Sequence, residues 1–268
     1  MSGTDPVDDL TRLRQALPQA ELAYAAFNAR RTRAEAPAAA PVCNAQADGW
    51  AWLLDGSRPA SAYYNRAWWL ASGPLPAAAL SSLPAAVAAL ELLPAQQDGE
   101  AAQALLQAGF RPVAALHYLG ACPRQPLAAQ ATPVRRLTAD DVELFFDLLA
   151  ATGTPFPPER RQRTRQHYAT PQFQLFVAGD DGQGRPAAWA TLHVHAGPPG
   201  CGFLGNAYTL PGQRGRGLHT ALLAARWNAA VEQGLQRLYC DVEPDSDSQR
   251  HNERLGLRLL TGTTLWQR

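Results

Sequence analysis

Thr209-Leu-Pro-Gly-Gln-Arg-Gly-Arg-Gly-Leu-His-Thr220 is the stretch on which the reading of this chain turns. An apolar run, Phe203–Leu210, predicts a strand that enters a glycine-bearing turn. The turn opens Leu218–Gln233, predicted as a long helix that Gly234 ends. The first turn of a helix carries unpaired N–H groups and the positive end of the helix dipole. Gly215 and Gly217 let the backbone approach a ligand with no Cβ atoms in the way, and Arg214 and Arg216 add bidentate donors. Together these features make an anion cradle that a diphosphate fits. Arg-Gly-x-Gly by itself is also met as an ordinary glycine turn with solvated arginines, so the surrounding elements decide its weight.

Downstream, Leu235–Glu243 predicts a strand, Ser248–Leu255 a short helix and Leu259–Trp266 a last strand. Upstream, Phe173–Ala178 and Ala187–His195 alternate as strands around the turn Gly179–Gly184. Pro158–Tyr168 reads as an Arg-rich helix, and Thr138 caps another over Ala139–Ala150, with Val134–Leu137 a strand before it. Cys122–Pro133 is Pro, Gln and Ala without periodicity and marks a domain boundary, giving domains at 1–130 and 131–268. In the first domain, Leu10, Leu13 and Leu17 predict helix, and the Ala/Pro run Ala34–Pro41 interrupts it. Trp50–Leu54 and Ala62–Leu70 read as strands, Ala77–Leu80 and Ala101–Ala108 as short helices, and Leu116–Leu119 as a strand. The alternation places the chain in the α/β (α+β) class.

A weak internal repeat supports two related halves. Leu90-Glu-Leu-Leu-Pro94 followed by Leu106-Gln-Ala-Gly-Phe-Arg111 matches Cys240-Asp-Val-Glu-Pro244 followed by Glu253-Arg-Leu-Gly-Leu-Arg258.

Composition bounds the rest. The 268 residues are ample for a core, and 46 % apolar with 18 % charged residues is ordinary for a globular protein. A net charge of +1 gives no bulk attraction to nucleic acid or membrane, and neither is expected as a partner. All 24 basic residues are Arg and Ile is absent, a bias that points to a GC-rich bacterial genome. Cys43, Cys122, Cys201 and Cys240 are far apart with no C-x-x-C pair, so four reduced thiols and no metal are expected. Met1–Asp9 is polar and acidic, unlike a signal peptide, and Pro74–Pro94 is too broken to span a bilayer. A cytoplasmic protein, monomer or homodimer, is expected.

In its strand-x-Pro-x-x-Arg-Gly-x-Gly-helix order, and in the strand, Ser-bearing turn and helix ending at Gly256-Leu257, Val134–Arg268 resembles the GCN5-related N-acetyltransferase (GNAT) superfamily. The resemblance implies a mixed, mostly antiparallel sheet flanked by helices, splayed between its fourth and fifth strands, with acetyl-CoA as co-substrate in the splay. It implies that Ala207 and Thr209 meet the pantetheine arm. Gly215, Arg216, Gly217, Leu218, His219 and Thr220 would hold the diphosphate beside Arg214, and Asn252 would lie near the sulfur. The first half looks like a degenerate copy. Tyr63-Tyr64-Asn65-Arg66 stands where the cofactor strand belongs, and Ser72-Gly-Pro-Leu-Pro76 lacks the glycine motif.

The implied activity is direct transfer of an acetyl group through a ternary complex to a small-molecule amine. A peptide or protein acceptor is the alternative within the enzyme class, and a non-catalytic acyl-CoA-binding scaffold the alternative outside it. The chain departs from the family where a base and an acid often stand, with Asn206 on the fourth strand and Asn252 on the last helix. Other candidates are Asp241 and Glu243, which alternate with Tyr239 onto one strand face, and Tyr208. His193 and His195 are open as bases or as structural histidines. Arg160, Arg161, Arg163 and Arg165 are open as an acidic-substrate site or a solvated face, and Tyr63, Tyr64 and their neighbouring tryptophans as a pocket wall or a core.

Overall fold

The computed structural model describes residues 6–33, 42–128, 130–153, 156–195 and 200–268, so the Ala34–Pro41 interruption lies outside the described residues. Eleven strands form one sheet in the order β1-β2-β3-β4-β11-β5-β10-β9-β8-β7-β6. The first part of the chain supplies helix α1 (Pro6–Arg31), β1 (Val42–Ala47), β2 (Trp50–Asp55), β3 (Asn65–Trp69), β4 (Ala89–Leu92), α2 (Gly99–Gln107) and β5 (Arg111–Ala121). The second supplies β6 (Val134–Arg136), α3 (Val142–Ala151), α4 (Pro158–Thr164), β7 (Phe173–Ala178), β8 (Ala188–His195), β9 (Cys201–Thr209), α5 (Leu218–Glu232), β10 (Arg237–Val242), α6 (Asp247–Leu255) and β11 (Arg258–Gln267).

The sheet order reads symmetrically about its centre. β3 runs parallel to β4 through Arg66–Trp68, and β9 runs parallel to β10 through Cys201–Phe203; their other pairings are antiparallel. The last strand of each half crosses over: β5 pairs with β10 and β11 pairs with β4, while β5 and β11 pair with each other at the middle. The halves divided at residue 130 therefore share one sheet.

Alternation decides which helix covers which face. On one face α5 packs over Phe176, Leu192, Leu204 and Leu238, and α2 lies over Trp50, Ala67, Leu90 and Leu92. On the other, α3 buries Phe145 and Phe146 against Leu175, Val177 and Trp189. Helix α1 also lies there. Its Leu22 and Ala26 meet Leu53 and Trp68 of the first half, whereas its Leu13 and Leu17 meet Tyr239 and Leu260 of the second. The Cys122–Pro133 linker is pinned along α5. Trp227 Nε1 donates to the Gln125 carbonyl at 2.9 Å, and the Asn228 amide bonds both main-chain groups of Leu127.

Several sequence expectations shift here. β1 had no counterpart in the sequence reading, and β5 extends from the expected four residues to 11 because its centre lies between two partner strands. Tyr63 and Tyr64 leave the expected strand for a 3-10 turn, Ala62–Tyr64, and Ala77–Ser82 is likewise 3-10 rather than α-helix. The Pro158–Tyr168 helix stops at Thr164 and closes in a 3-10 turn, Arg165–His167. Cys122, Cys201 and Cys240 are free thiols; the Cys43 side chain lies outside the described part.

Candidate active site

Past Phe203 and Tyr239 the parallel strands β9 and β10 separate, because no further residues pair. A cavity of about 600 Å³ occupies the opening on the α5 side. Its lining includes Ala207, Tyr208 and Thr209 from β9, Arg214, Gly215, Gly217, Leu218, His219 and Thr220 from the turn and α5, and Ser246, Asp247, Ser248 and His251 around the start of α6. Gly215 and Gly217 have φ of 76° and 74°, the left-handed region, and a Cβ on either would meet nothing within 4 Å. The backbone conformation demands glycine, and the space beside it is open. Ala221 N–H makes the bond to the Gly217 carbonyl, at 3.0 Å, leaving the amides of Gly217–Thr220 ahead of the helical ladder. Arg214 Nε reaches the Thr209 carbonyl at 3.4 Å, across the mouth of the splay.

His219 has helical backbone and turns its ring into the cleft wall, 5.2 Å from that of His251. Burial pushes its pKa down to about 4, and its Nε2 has no partner among the described residues. Of the expected cofactor residues, Arg216 and Asn252 do not line the cavity. Arg216 bonds the Gln213 side chain, and Asn252 is buried, donating to the Ser248 carbonyl at 2.8 Å while its Oδ1 lacks a partner among the described residues.

A second cavity, of about 410 Å³, adjoins the first along β9, where the lining passes from Gly205 and Asn206 to Ala207. Here β9 bulges. Its register against β8 shifts between Trp189 and Thr191, and Asn206 has φ of 49°. The side chains around it fix the bulge. Asn206 Nδ2 donates to Thr191 Oγ1 at 3.1 Å and to the Tyr24 hydroxyl at 3.3 Å. Beneath, the fully buried Arg226 donates to the carbonyls of Thr191 at 3.1 Å and Gly205 at 3.4 Å, and burial lowers its pKa to about 10. A side chain at Gly205 would collide with the Tyr24 hydroxyl.

This cavity draws its walls from both halves: Tyr24, Asn28, Arg31 and Thr32 of α1, Tyr63 and Tyr64, then Phe145, Phe156, Arg160 and Tyr168 near α3 and α4. Asp241 of β10 stands in it too. Its carboxylate is open to the cavity, yet protein surrounds it on the other sides. That loss of water pushes its pKa above the ordinary value, against the pull of its own backbone N–H and Arg66, and Glu91 adds to the rise.

Of the other candidates, Tyr208 lies in the cofactor-side cavity with its ring 4.8 Å from Trp189, and Glu243 is exposed past the end of β10, in neither lining. His193 is buried between Phe27 and Tyr24 and its pKa falls to about 3, which makes it a structural histidine. Arg161 and Arg165 form ion pairs with Glu143 and Asp147 outside the cavity, whereas Arg160 reaches its wall. Sequence reading missed Ser246, Asp247, Ser248 and His251, whose signal was the Ser246 cap after Pro244. It also missed the α1 residues, whose polar spacing at Tyr24, Asn28 and Arg31 marks one helix face.

The sequence model of the acetyltransferase (GNAT) family matches residues 142–256, so this part of the chain carries a GNAT acetyltransferase domain. No curated protein matches it. Among solved structures, a conserved protein of unknown function from Staphylococcus epidermidis is similar at 11 % identity and a TM-score of 0.61, over 84 % of this chain and 93 % of that one. A GCN5-related N-acetyltransferase from Kribbella flavida gives 18 % and 0.59, over 84 % and 89 %. A GNAT-family acetyltransferase from Novosphingobium aromaticivorans gives 21 % and 0.52, over 99 % of each chain. At these identities the likeness is one of fold. No helix among the described residues is long and apolar enough to cross a membrane.

Proposed function

We propose that the chain is an acetyl-CoA-dependent N-acetyltransferase acting on a small-molecule amine by direct transfer in a ternary complex. Acetyl-CoA lies in the β9/β10 cleft, its diphosphate on the amides from Gly215 to Thr220. The acceptor enters the aromatic cavity. The observation that carries this reading is the meeting of the two cavities at the β9 bulge, with Asp241 on the acceptor side. The amine nitrogen attacks the thioester carbon, an N–C bond forms, the C–S bond breaks and CoA leaves as thiolate. Asp241, with its raised pKa, takes the ammonium proton before attack, directly or through water. The second proton leaves the nitrogen as the amide forms and passes through water to Tyr208, on the cofactor side, as that hydroxyl gives its own proton to the thiolate.

We further propose that residues 1–130 and 131–268 are two GNAT-like halves, the first degenerate. The matching element order and the symmetric strand order support this.

The test is release of CoA from acetyl-CoA across an amine panel, with Asp241→Asn beside the natural chain. The account expects kcat to fall on the order of 10²–10⁴-fold while acetyl-CoA affinity holds. Unchanged kcat removes Asp241 as base. Tight acetyl-CoA binding without transfer to any amine would favour the non-catalytic reading that Asn206 and Asn252 raise.

A further inference from the structure

Three arginines are buried close to the cavities, and their surroundings differ: Arg226, beneath the β9 bulge, bonds main-chain carbonyls and lines neither cavity. Arg66 has carboxylates on both sides, Glu21 at 2.6 Å and Glu91 at 3.1 Å. Arg31 is 7 % exposed and lines the acceptor-side cavity, yet no carboxylate lies within 4.0 Å of it among the described residues. Its contacts are neutral. Nη1 donates to the Tyr168 hydroxyl at 2.6 Å, and Nε and Nη2 donate to Asn28 Oδ1 at 3.2 and 2.7 Å. Its guanidinium lies over the Phe173 ring at 4.3 Å. Three hydrogen bonds fix its direction, and among the described residues no carboxylate compensates its charge. An unpaired buried charge is costly, and of the two arginines without a carboxylate partner among the described residues, Arg226 and Arg31, Arg31 is the one that lines a cavity, where a counter-charge can arrive from outside.

The positive field at this end is wider than one residue. Arg31 and Arg30 together add to the burial that depresses the His167 pKa. The negative group of the cavity, Asp241, belongs to β10 beside the β9 bulge. Tyr24, which touches that bulge, and Arg31 sit two turns apart on one face of α1, roughly 10 Å at the helical rise. The cavity thus has an anionic group near the point of transfer and the Arg31 guanidinium further along.

We infer that the acceptor is an amine carrying a carboxylate or phosphate several bonds from its nitrogen, with the anion held by Arg31 and the amine at Asp241. The inference rests on the reading of this cavity as the acceptor site. An α-amino acid, whose charged groups share one carbon, is too short to reach both. A cavity of about 410 Å³ falls at the small end of ligand pockets and suits a molecule of amino-sugar or short-peptide size.

The experiment uses matched probes with the full chain: 6-aminohexanoate against hexylamine, and glucosamine 6-phosphate against glucosamine. Calorimetric binding in the presence of CoA and the rate of CoA release from acetyl-CoA are both read. The expected result is a preference of tenfold or more for the anionic member of at least one pair. Arg31→Gln should abolish that preference and Arg31→Lys, which keeps the charge, should retain part of it. Arg165→Gln, at an exposed arginine paired with Glu143, should leave it intact. Equal binding of neutral and anionic members in both pairs, or a preference that survives in Arg31→Gln, overturns the inference while leaving acetyl transfer standing. Arg31-dependent binding of an anionic probe with no transfer to it supports the anion site and counts against the transfer reading.

Discussion

The β3/β4 pair and the β9/β10 pair are both parallel, both joined over three residue pairs, and each is followed by a helix and a strand that crosses to the other half. Beyond the paired stretch they differ. β9 runs on to Thr209 with its end along a cavity, and a glycine turn feeds α5 beside it. At the end of β3, Gln96 donates its side-chain amide to the carbonyls of Trp69, at 3.1 Å, and Ala71, at 2.7 Å. The Leu75 N–H in turn bonds the Gln96 carbonyl at 3.1 Å, and Trp50, Leu75, Leu90 and Leu92 fill the space around. Between β3 and β4 the chain makes only 3-10 turns, so there is no helix start to hold an anion. A splay becomes a binding cleft when its main-chain groups stay free and a helix end faces them, and it becomes core when a side chain takes those groups.

The strongest way to break this contrast is Gly217→Glu. The substitution places bulk and negative charge in the amide cradle and forces a left-handed backbone on a residue that resists it. Acetyl-CoA affinity should fall on the order of 100-fold or more, about 3 kcal/mol, by titration calorimetry. Retained affinity would place the cofactor elsewhere.

A smaller effect is expected from Gln96→Ala in the plugged half. Two main-chain carbonyls lose their donor and a gap opens among apolar side chains. Urea unfolding should report a loss of about 1–3 kcal/mol, with acetyl-CoA binding unchanged. Loss of acetyl-CoA affinity in this variant would mean that the first half takes part in holding the cofactor.

A third effect, seen as a slope against pH and absent at neutral pH, concerns the docking of α1 on the second half through His193, packed by Tyr24 and Phe27. Its folded pKa of about 3 lies below the unfolded value of 6.5, so below about pH 6.5 the unfolded chain binds a proton that the folded chain refuses. Stability is therefore lost as pH falls toward about 3, by up to about 1.4 kcal/mol per pH unit from this group. His193→Leu should flatten that limb, read as unfolding midpoints at two acidic pH values. An unchanged slope would show that the imidazole titrates freely.

The glycine motif and the order of elements from Val134 onward were legible because both are local: turn chemistry and apolar periodicity sit in consecutive residues. The exchange of β5 and β11 was not, since pairing between strands more than a hundred residues apart leaves no mark in either one. The β9 and α5 walls of the β9/β10 cavity could be read from Ala207 to Thr220, which are close in the chain, whereas its wall from Ser246 to His251 could not. The acceptor cavity could not. Tyr24 and Arg31 reach it from a helix far from β9 and β10 in sequence, and Tyr63 and Tyr64 arrive through a 3-10 turn that their β-favouring side chains argue against.

The central claim is that one of two matching splays holds the co-substrate, and titration of the full chain with acetyl-CoA in the calorimeter tests it most directly. The account predicts one site per chain. Two sites would contradict the plugged first half, and none would contradict the cleft between β9 and β10 as an acetyl-CoA site.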